Sequence, residues 1–245
     1  MGTLTVAMFM TLDGFTETPE GRLISPSWSD EMQQHWSGAN AHEGQLLLYG
    51  RTAFEFNAGY WPTADAEGNA EDYRAFARTM NALPKVVLSD TLESVGWNAT
   101  IERGPIADAV TRIKQRHDGE IVAVGGVSIA AALVATGLVD HYRLLLMPRI
   151  AGAGRSIFGS GGPGAGLRLV SSRTLDTGAL LLDYTAVGAT RAPESHRRSG
   201  DSRNTGGSVL CGVTALVTGT AAVCRSPARR RSAPEHRPRR RCHGP

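Results

Sequence analysis

Four short segments of this chain share one property: each follows an apolar run that reads as a strand. They are Leu12-Asp13-Gly14-Phe15, Gly50-Arg51-Thr52, Ser89, and Gly125-Gly126-Val127-Ser128. In an open α/β sheet, ligands sit beyond the carboxyl ends of the strands, where such segments gather. The chemistry on offer is the holding of an anion. Gly50 admits close approach, and the amides that open the next helix can meet a phosphate. Arg51 adds a guanidinium that can grip a phosphate through two hydrogen bonds. Gly125-Gly126 opens another helix whose bare amides can cradle a pyrophosphate. Each segment alone has a plainer reading, since a glycine pair is often only a turn. Four of them in order, each at a strand exit, point together to one phosphorylated ligand.

Other chemistries lack their residues. The only lysines are Lys85 and Lys114, and neither follows a glycine, so no phosphate-binding P-loop exists. No His-Glu-x-x-His zinc motif and no Gly-x-Ser-x-Gly nucleophile elbow occurs. The string from Gly159 to Gly164 matches the dinucleotide glycine fingerprint in form. Pro163 lies inside it and a strand pattern follows, so it is set aside. His35, His42, His117 and His141 are scattered and read as surface or satisfied histidines rather than ligands. No metal site is expected.

The elements that must position these segments can be read from periodicity. Leu4, Val6, Met8 and Met10 alternate with Thr5, Ala7 and Phe9, which makes both faces apolar and predicts a buried central strand. Residues 11–26 read as a long loop. Ser27 or Ser29 can cap a helix running to about Asn40, with Asp30 and Glu31 in its first turn, where acids complement the helix dipole. Leu46 to Tyr49 is a strand that Gly50 ends, and a helix begins at Arg51. Tyr73, Phe76, Ala77 and Met80 fall at amphipathic helical spacing. Pro84 to Ser89 is a strand. Pro105 suits the first position of a helix whose apolar stripe is Ile106, Ala109, Val110 and Ile113. Ile121 to Val124 is a strand, Val127 to Thr136 a helix closed by Gly137, and Val139 to Met147 a strand. Residues 151–166 form a glycine-rich loop. Two strands, at about 167–175 and 179–187, finish the domain as a hairpin around Thr177-Gly178. The alternation predicts a three-layer α/β/α domain with a mostly parallel sheet and an antiparallel edge.

The chain has 245 residues, 41% hydrophobic and 20% charged, which suffices for one substantial core. The net charge of +3 hides a break: residues 1–187 balance to −6 and residues 188–245 to +9. The second part holds 12 arginines, no lysine, and all three cysteines, Cys211, Cys224 and Cys242. Their spacing fits no usual zinc pattern. We therefore expect a domain at 1–187 and a disordered Arg/Pro/Gly-rich tail at 188–245. The tail reads either as a dispensable extension or as an arm for nucleic acid, and it lacks interleaved aromatics for base stacking. No apolar run is long enough to span a bilayer, and no signal peptide is evident, so a cytoplasmic location is expected.

The ordered set Thr11-Leu12-Asp13-Gly14-Phe15, Leu48 through Glu55, Lys85 through Ser89, Val124-Gly125-Gly126 and Pro148 through Gly154 resembles the dihydrofolate-reductase-like superfamily. It is most similar to the branch built on the C-terminal reductase domain of the riboflavin-biosynthesis protein RibD. The resemblance covers about residues 3–187. It implies an NADPH-binding reductase, often a homodimer. By that resemblance, Ala7 and Leu12, Asp13 and Gly14 border the nicotinamide. Gly50, Arg51 and Thr52 hold phosphates, with Arg51 near the adenosine 2′-phosphate and Ser89 at the same end. Gly125, Gly126, Val127, Ser128 and Ile129 wrap the pyrophosphate. Dihydrofolate reductases place an acid on the first helix, where Asp30 and Glu31 stand here. Trp28, Phe54 and Trp61 are candidates to wall an aromatic substrate pocket, with core packing as the alternative for each.

The resemblance implies hydride transfer to a C=O or C=N carbon, the activity named first being reduction of the ribosylamino-pyrimidine intermediate of riboflavin synthesis. Reduction of dihydrofolate, or of another small pterin or carbonyl compound, is the alternative. Binding NADPH without turnover, as a sensor, is another. The zinc deaminase that usually accompanies this reductase has no counterpart, because residues 1–187 lack cysteine.

Overall fold

A computed structural model describes residues 1–65, 71–159 and 163–189. The arginine-rich segment expected to be a tail lies, from residue 190 onward, outside the described residues, as do its cysteines. In chain order the elements are β1 (Thr3–Thr11), α1 (Asp30–Asn40), β2 (Leu46–Gly50), α2 (Arg51–Ala64), α3 (Glu71–Ala82) and β3 (Lys85–Leu88). There follow β4 (Ala99–Glu102), α4 (Ile106–Arg116), β5 (Glu120–Val124), α5 (Val127–Thr136), β6 (His141–Met147), β7 (Ala165–Thr174) and β8 (Leu180–Ala189).

Among the described residues these strands form one sheet in the order β4-β3-β2-β5-β1-β6-β8-β7. From β4 to β6 all pairings are parallel. Strand β8 pairs antiparallel with β6 and with β7, which gives the hairpin edge. The apolar residues of β1 divide by parity, as a strand requires. Leu4, Val6, Met8 and Met10 pack with Val110 and Ile113 of α4 and with Ile129 and Leu133 of α5. Ala7 packs on the other face with Met32 and Trp36 of α1, Phe54 of α2 and Met80 of α3. The domain is thus a three-layer α/β/α sandwich.

Local chemistry explains the boundaries. Ser29, rather than Ser27, caps α1: its Oγ accepts the amide of Met32 at 3.2 Å. Gly137 ends α5 in the left-handed conformation, φ +69°. Pro105 is the cap of α4 and not its first residue. Strand β4 has no periodic signature in Ala-Thr-Ile-Glu, because it is a short, half-exposed edge strand. It is a strand by virtue of its pairing with β3.

Candidate active site

Because β3, β2, β5 and β1 are parallel neighbours, their carboxyl ends lie side by side at one edge of the sheet. Four segments far apart in sequence are thereby brought to that edge in the spatial order Ser89, Gly50–Thr52, Gly125–Ile129, Leu12–Gly14. The strands do not end level. Strand β5 pairs with β1 only as far as Val124 opposite Ala7. Strand β1 runs on to Thr11, paired on its other side with β6. From Met8 onward, the side of β1 that faces β5 has no ladder partner among the described residues. This leaves a notch bounded by Ala7, the Gly125 turn and the outward run of β1.

The glycines shape that edge. Gly125 and Gly126 both take positive φ, +77° and +81°, which side chains avoid. A Cβ on Gly125 would meet nothing within 4 Å, so its backbone faces open space. A Cβ on Gly126 would sit 3.3 Å from the Ala53 Cβ, and one on Gly50 would sit 3.1 Å from the Ile129 Cβ. The beginnings of α2 and α5 therefore pack closely through glycine. Neither has a side-chain cap. The first-turn amides of Arg51 and Thr52 and those of Val127, Ser128 and Ile129 are available, and the two positive helix ends lie together.

Arg51 projects toward the turn that follows β3. Its Nη1 donates to Thr91 Oγ1 at 3.2 Å, and its Nε lies 3.5 Å from Glu55 Oε1. Ser89 organises that turn, its Oγ accepting the amides of Thr91 at 3.3 Å and Leu92 at 3.1 Å. Arg103 reaches the same turn, donating to the Ser89 carbonyl at 3.1 Å and the Leu92 carbonyl at 2.5 Å. Two guanidinium groups therefore meet one turn, and guanidinium groups suit a doubly charged phosphate. The sequence reading missed Thr91 and Arg103. Arg103 follows β4, the strand without a sequence signature.

Asp13 joins two loops of the site. Its carboxylate accepts the Thr11 hydroxyl at 2.6 Å and the amides of Ala151 at 3.1 Å and Gly152 at 2.7 Å. These bonds, the Thr11 hydroxyl foremost, hold its pKa down to about 2. It ties the loop after β1 to the loop after β6. Leu12 and Ile150, on those two loops, are exposed. Gly14 takes φ +85° in the turn.

The acids of α1 also divide. Glu31 Oε2 accepts the amide of Asp176 at 2.7 Å and so holds the β7–β8 turn, while Ser29 donates to Asp176 Oδ1 at 2.5 Å. Asp30 is exposed. Of the three aromatic candidates, Trp28 is half exposed and stands edge-on to Phe9, ring centres 5.7 Å apart. Phe54 is buried between Tyr49 and Trp97. Trp61 packs on Tyr60 and Phe76 and donates its indole N–H to Asn57 Oδ1 at 2.8 Å. Packing keeps Phe54 and Trp61 in the layer between α2, α3 and the sheet, while Trp28 stands against Phe9. Among the described residues no helix is long and apolar enough to cross a membrane, and no group of three His, Cys, Asp or Glu is placed to hold a metal ion.

Known proteins share this architecture. A candidate riboflavin biosynthesis protein from Shewanella sp. PV-4 superposes with a TM-score of 0.55 at 18% identity, over 76% of this chain and 99% of that one. Dihydrofolate reductase from Enterococcus faecalis, solved with NADP(H), gives a TM-score of 0.51 at 14% identity, over 76% of this chain and 96% of that one. Acinetobacter baumannii RibD gives 0.51 at 15% identity over 76% of this chain, which corresponds to 58% of the longer RibD chain. At these identities the likeness establishes a dihydrofolate-reductase-like fold. In sequence, the uncharacterised protein YyaP of Bacillus subtilis (strain 168) is 25% identical over 177 residues, 71% of this chain and 90% of its own. The profile of the RibD C-terminal domain matches residues 2–181, nearly the whole of the described domain, and the chain therefore belongs to the RibD C-terminal domain family.

Proposed function

We propose that this protein is an NADPH-dependent reductase that acts on 5-amino-6-(5-phosphoribosylamino)uracil or a close ribosylamino-pyrimidine relative. The observation that carries the reading is the notch between β1 and β5, with the open Gly125 backbone on one side and two uncapped helix ends beside it. The residues fit the group. A long, flat, multiply phosphorylated cofactor needs a cleft across the sheet edge, amides for its phosphates and cations at its far end.

When bound, NADPH supplies a hydride from C4 of its nicotinamide. The chain does the rest. The first-turn amides of α5 and α2 take the phosphate oxygens. Arg51, with Arg103 at the same Ser89–Leu92 turn, holds the 2′-phosphate. Ala7 and the Gly125 turn bound the space left for the ring, and the Asp13 clamp keeps Leu12 and Ile150 in place at its rim. Glu31 fixes the neighbouring β7–β8 turn, and Asp30, exposed at the start of α1, relays the proton from water that completes the reduction. Fixed positioning of this kind lowers the entropic part of the barrier.

A second reading, reduction of a dihydrofolate-like pterin, is favoured by Trp28, whose half-exposed ring beside Phe9 offers an aromatic platform. Calorimetric titration with NADPH tests the cofactor. Loss of nicotinamide absorbance with the ribosylamino-pyrimidine against dihydrofolate then separates the two substrates. Binding without oxidation of NADPH by either leaves a sensor.

A further inference from the structure

Arg155 lies in the glycine-rich loop after β6. The structure lays this loop against the segment after β1. The Arg155 amide donates to the Glu17 carbonyl at 2.9 Å, and the Thr16 amide donates to the Arg155 carbonyl at 2.8 Å. Gly154 makes this approach possible, because a Cβ there would lie 2.1 Å from the Glu17 carbonyl oxygen. The side chain is thereby aimed at the start of α5. Its Nη2 donates to Ser128 Oγ at 2.6 Å, and its Nη1 lies 2.9 Å from Glu17 Oε2.

That position is electrostatically adverse on its own terms. The amino end of a helix carries partial positive charge, and cations are favoured at the opposite end. Here a guanidinium is held at the first turn of a helix without a side-chain cap, close to its first-turn amides and the open backbone of Gly125. Glu17 neutralises one side of it, and among the described residues its partner on the other is the neutral hydroxyl of Ser128. An anion seated between the α5 amides and Arg155 would satisfy both positive groups at once.

We infer that Arg155 is a cofactor-binding residue that reaches across from the loop after β6 to grip the pyrophosphate of the dinucleotide; the inference rests on the dinucleotide-binding reading above. It swings from the Ser128 hydroxyl to a phosphate oxygen while Glu17 retains its other edge. The loop after β6 thus becomes a strap over the cofactor, anchored by Arg155 at one point and by the Asp13 clamp at another.

The test is titration of the full-length protein with NADPH and with NADH, following tryptophan fluorescence, for wild type, Arg155→Gln and Arg155→Lys, with a thermal melt of each. The pyrophosphate is common to both dinucleotides. Arg155→Gln is therefore expected to weaken both by a similar factor, about tenfold, as for loss of one charge-assisted hydrogen bond. Arg155→Lys, which keeps the charge and loses the fork, is expected to fall between. A merely structural latch would lower the melting temperature and leave both affinities unchanged. That result in folded Arg155→Gln overturns the inference. A wild-type protein that binds neither dinucleotide overturns the underlying reading instead, and this inference with it.

Discussion

The carboxylate of Asp13 accepts the amide of Gly152 at 2.7 Å across 139 positions of sequence. Through this bond and its neighbour at Ala151, the loop that leaves the central strand holds the loop that leaves the adjacent one. The side chain of Asp13 thus joins the two loops.

A pH dependence follows. The folded pKa of Asp13 is about 2, against 3.8 for the free side chain. A carboxylate with a depressed folded pKa contributes stability above its unfolded pKa, and that contribution is lost as pH falls through the folded value. Melting temperature should therefore fall on acidification from about pH 4 to about pH 2, and Asp13→Asn should flatten that part of the curve. Amide exchange at Ala151 and Gly152 should quicken in the same variant.

Arg51 makes one contact to Thr91 and one ion pair with Glu55, both at the surface. Its removal should cost little fold stability. Arg51→Ala is expected to weaken NADPH binding about tenfold and leave NADH nearly unaffected, since only the former carries the extra phosphate. Equal loss for both cofactors would move Arg51 away from the 2′-phosphate. Arg103→Ala should show the same selectivity.

The two glycines at the start of α5 should respond differently to alanine. Both sit at positive φ, and that alone costs roughly 1 kcal/mol. At Gly126 the new methyl also meets Ala53 at 3.3 Å, whereas at Gly125 it meets nothing within 4 Å. Gly126→Ala is expected to be the less stable protein in urea titration. Gly125→Ala is expected to lose the more cofactor affinity relative to its stability, because its methyl enters the open space of the site.

The aromatic candidates separate in the same manner. Phe54 is 5% exposed and Trp28 52%. Phe54→Ala should destabilise the fold by about 3–5 kcal/mol. Trp28→Ala should change stability by well under that and raise the KM for substrate, as steady-state kinetics would show.

Lys85 is 1% exposed at the start of β3. Its Nζ donates to the Leu83 carbonyl at 2.6 Å and stands 4.1 Å from the centre of the Trp97 ring. Burial lowers its pKa from 10.5 to about 8. Between those values the unfolded chain holds the proton and the folded one does not, so stability should rise with pH from about 8 to 10.5. Lys85→Met is expected to abolish that rise and to be more stable at neutral pH, by about 1 kcal/mol. Chemical denaturation across this pH range checks both.

Sequence alone determined most of the framework. The parity of apolar residues from Leu4 to Met10 requires a strand buried on both faces, and Gly137 ends its helix because a left-handed turn tolerates glycine. The strand-exit segments at Gly50, Ser89 and Gly125 were legible because local backbone rules write themselves into residue type. Tertiary structure decided what local rules cannot carry. Strand β4 exists through its partner β3, so its sequence shows no period. The unequal ends of β1 and β5 make the notch, and register is a property of pairs. Whether Asp13, Glu31, Phe54 or Arg155 serves a ligand, a turn or the core depends on which distant amide, ring or helix end it meets. Those meetings are fixed by packing across 100 residues or more in the first two cases, and no short window of sequence records them.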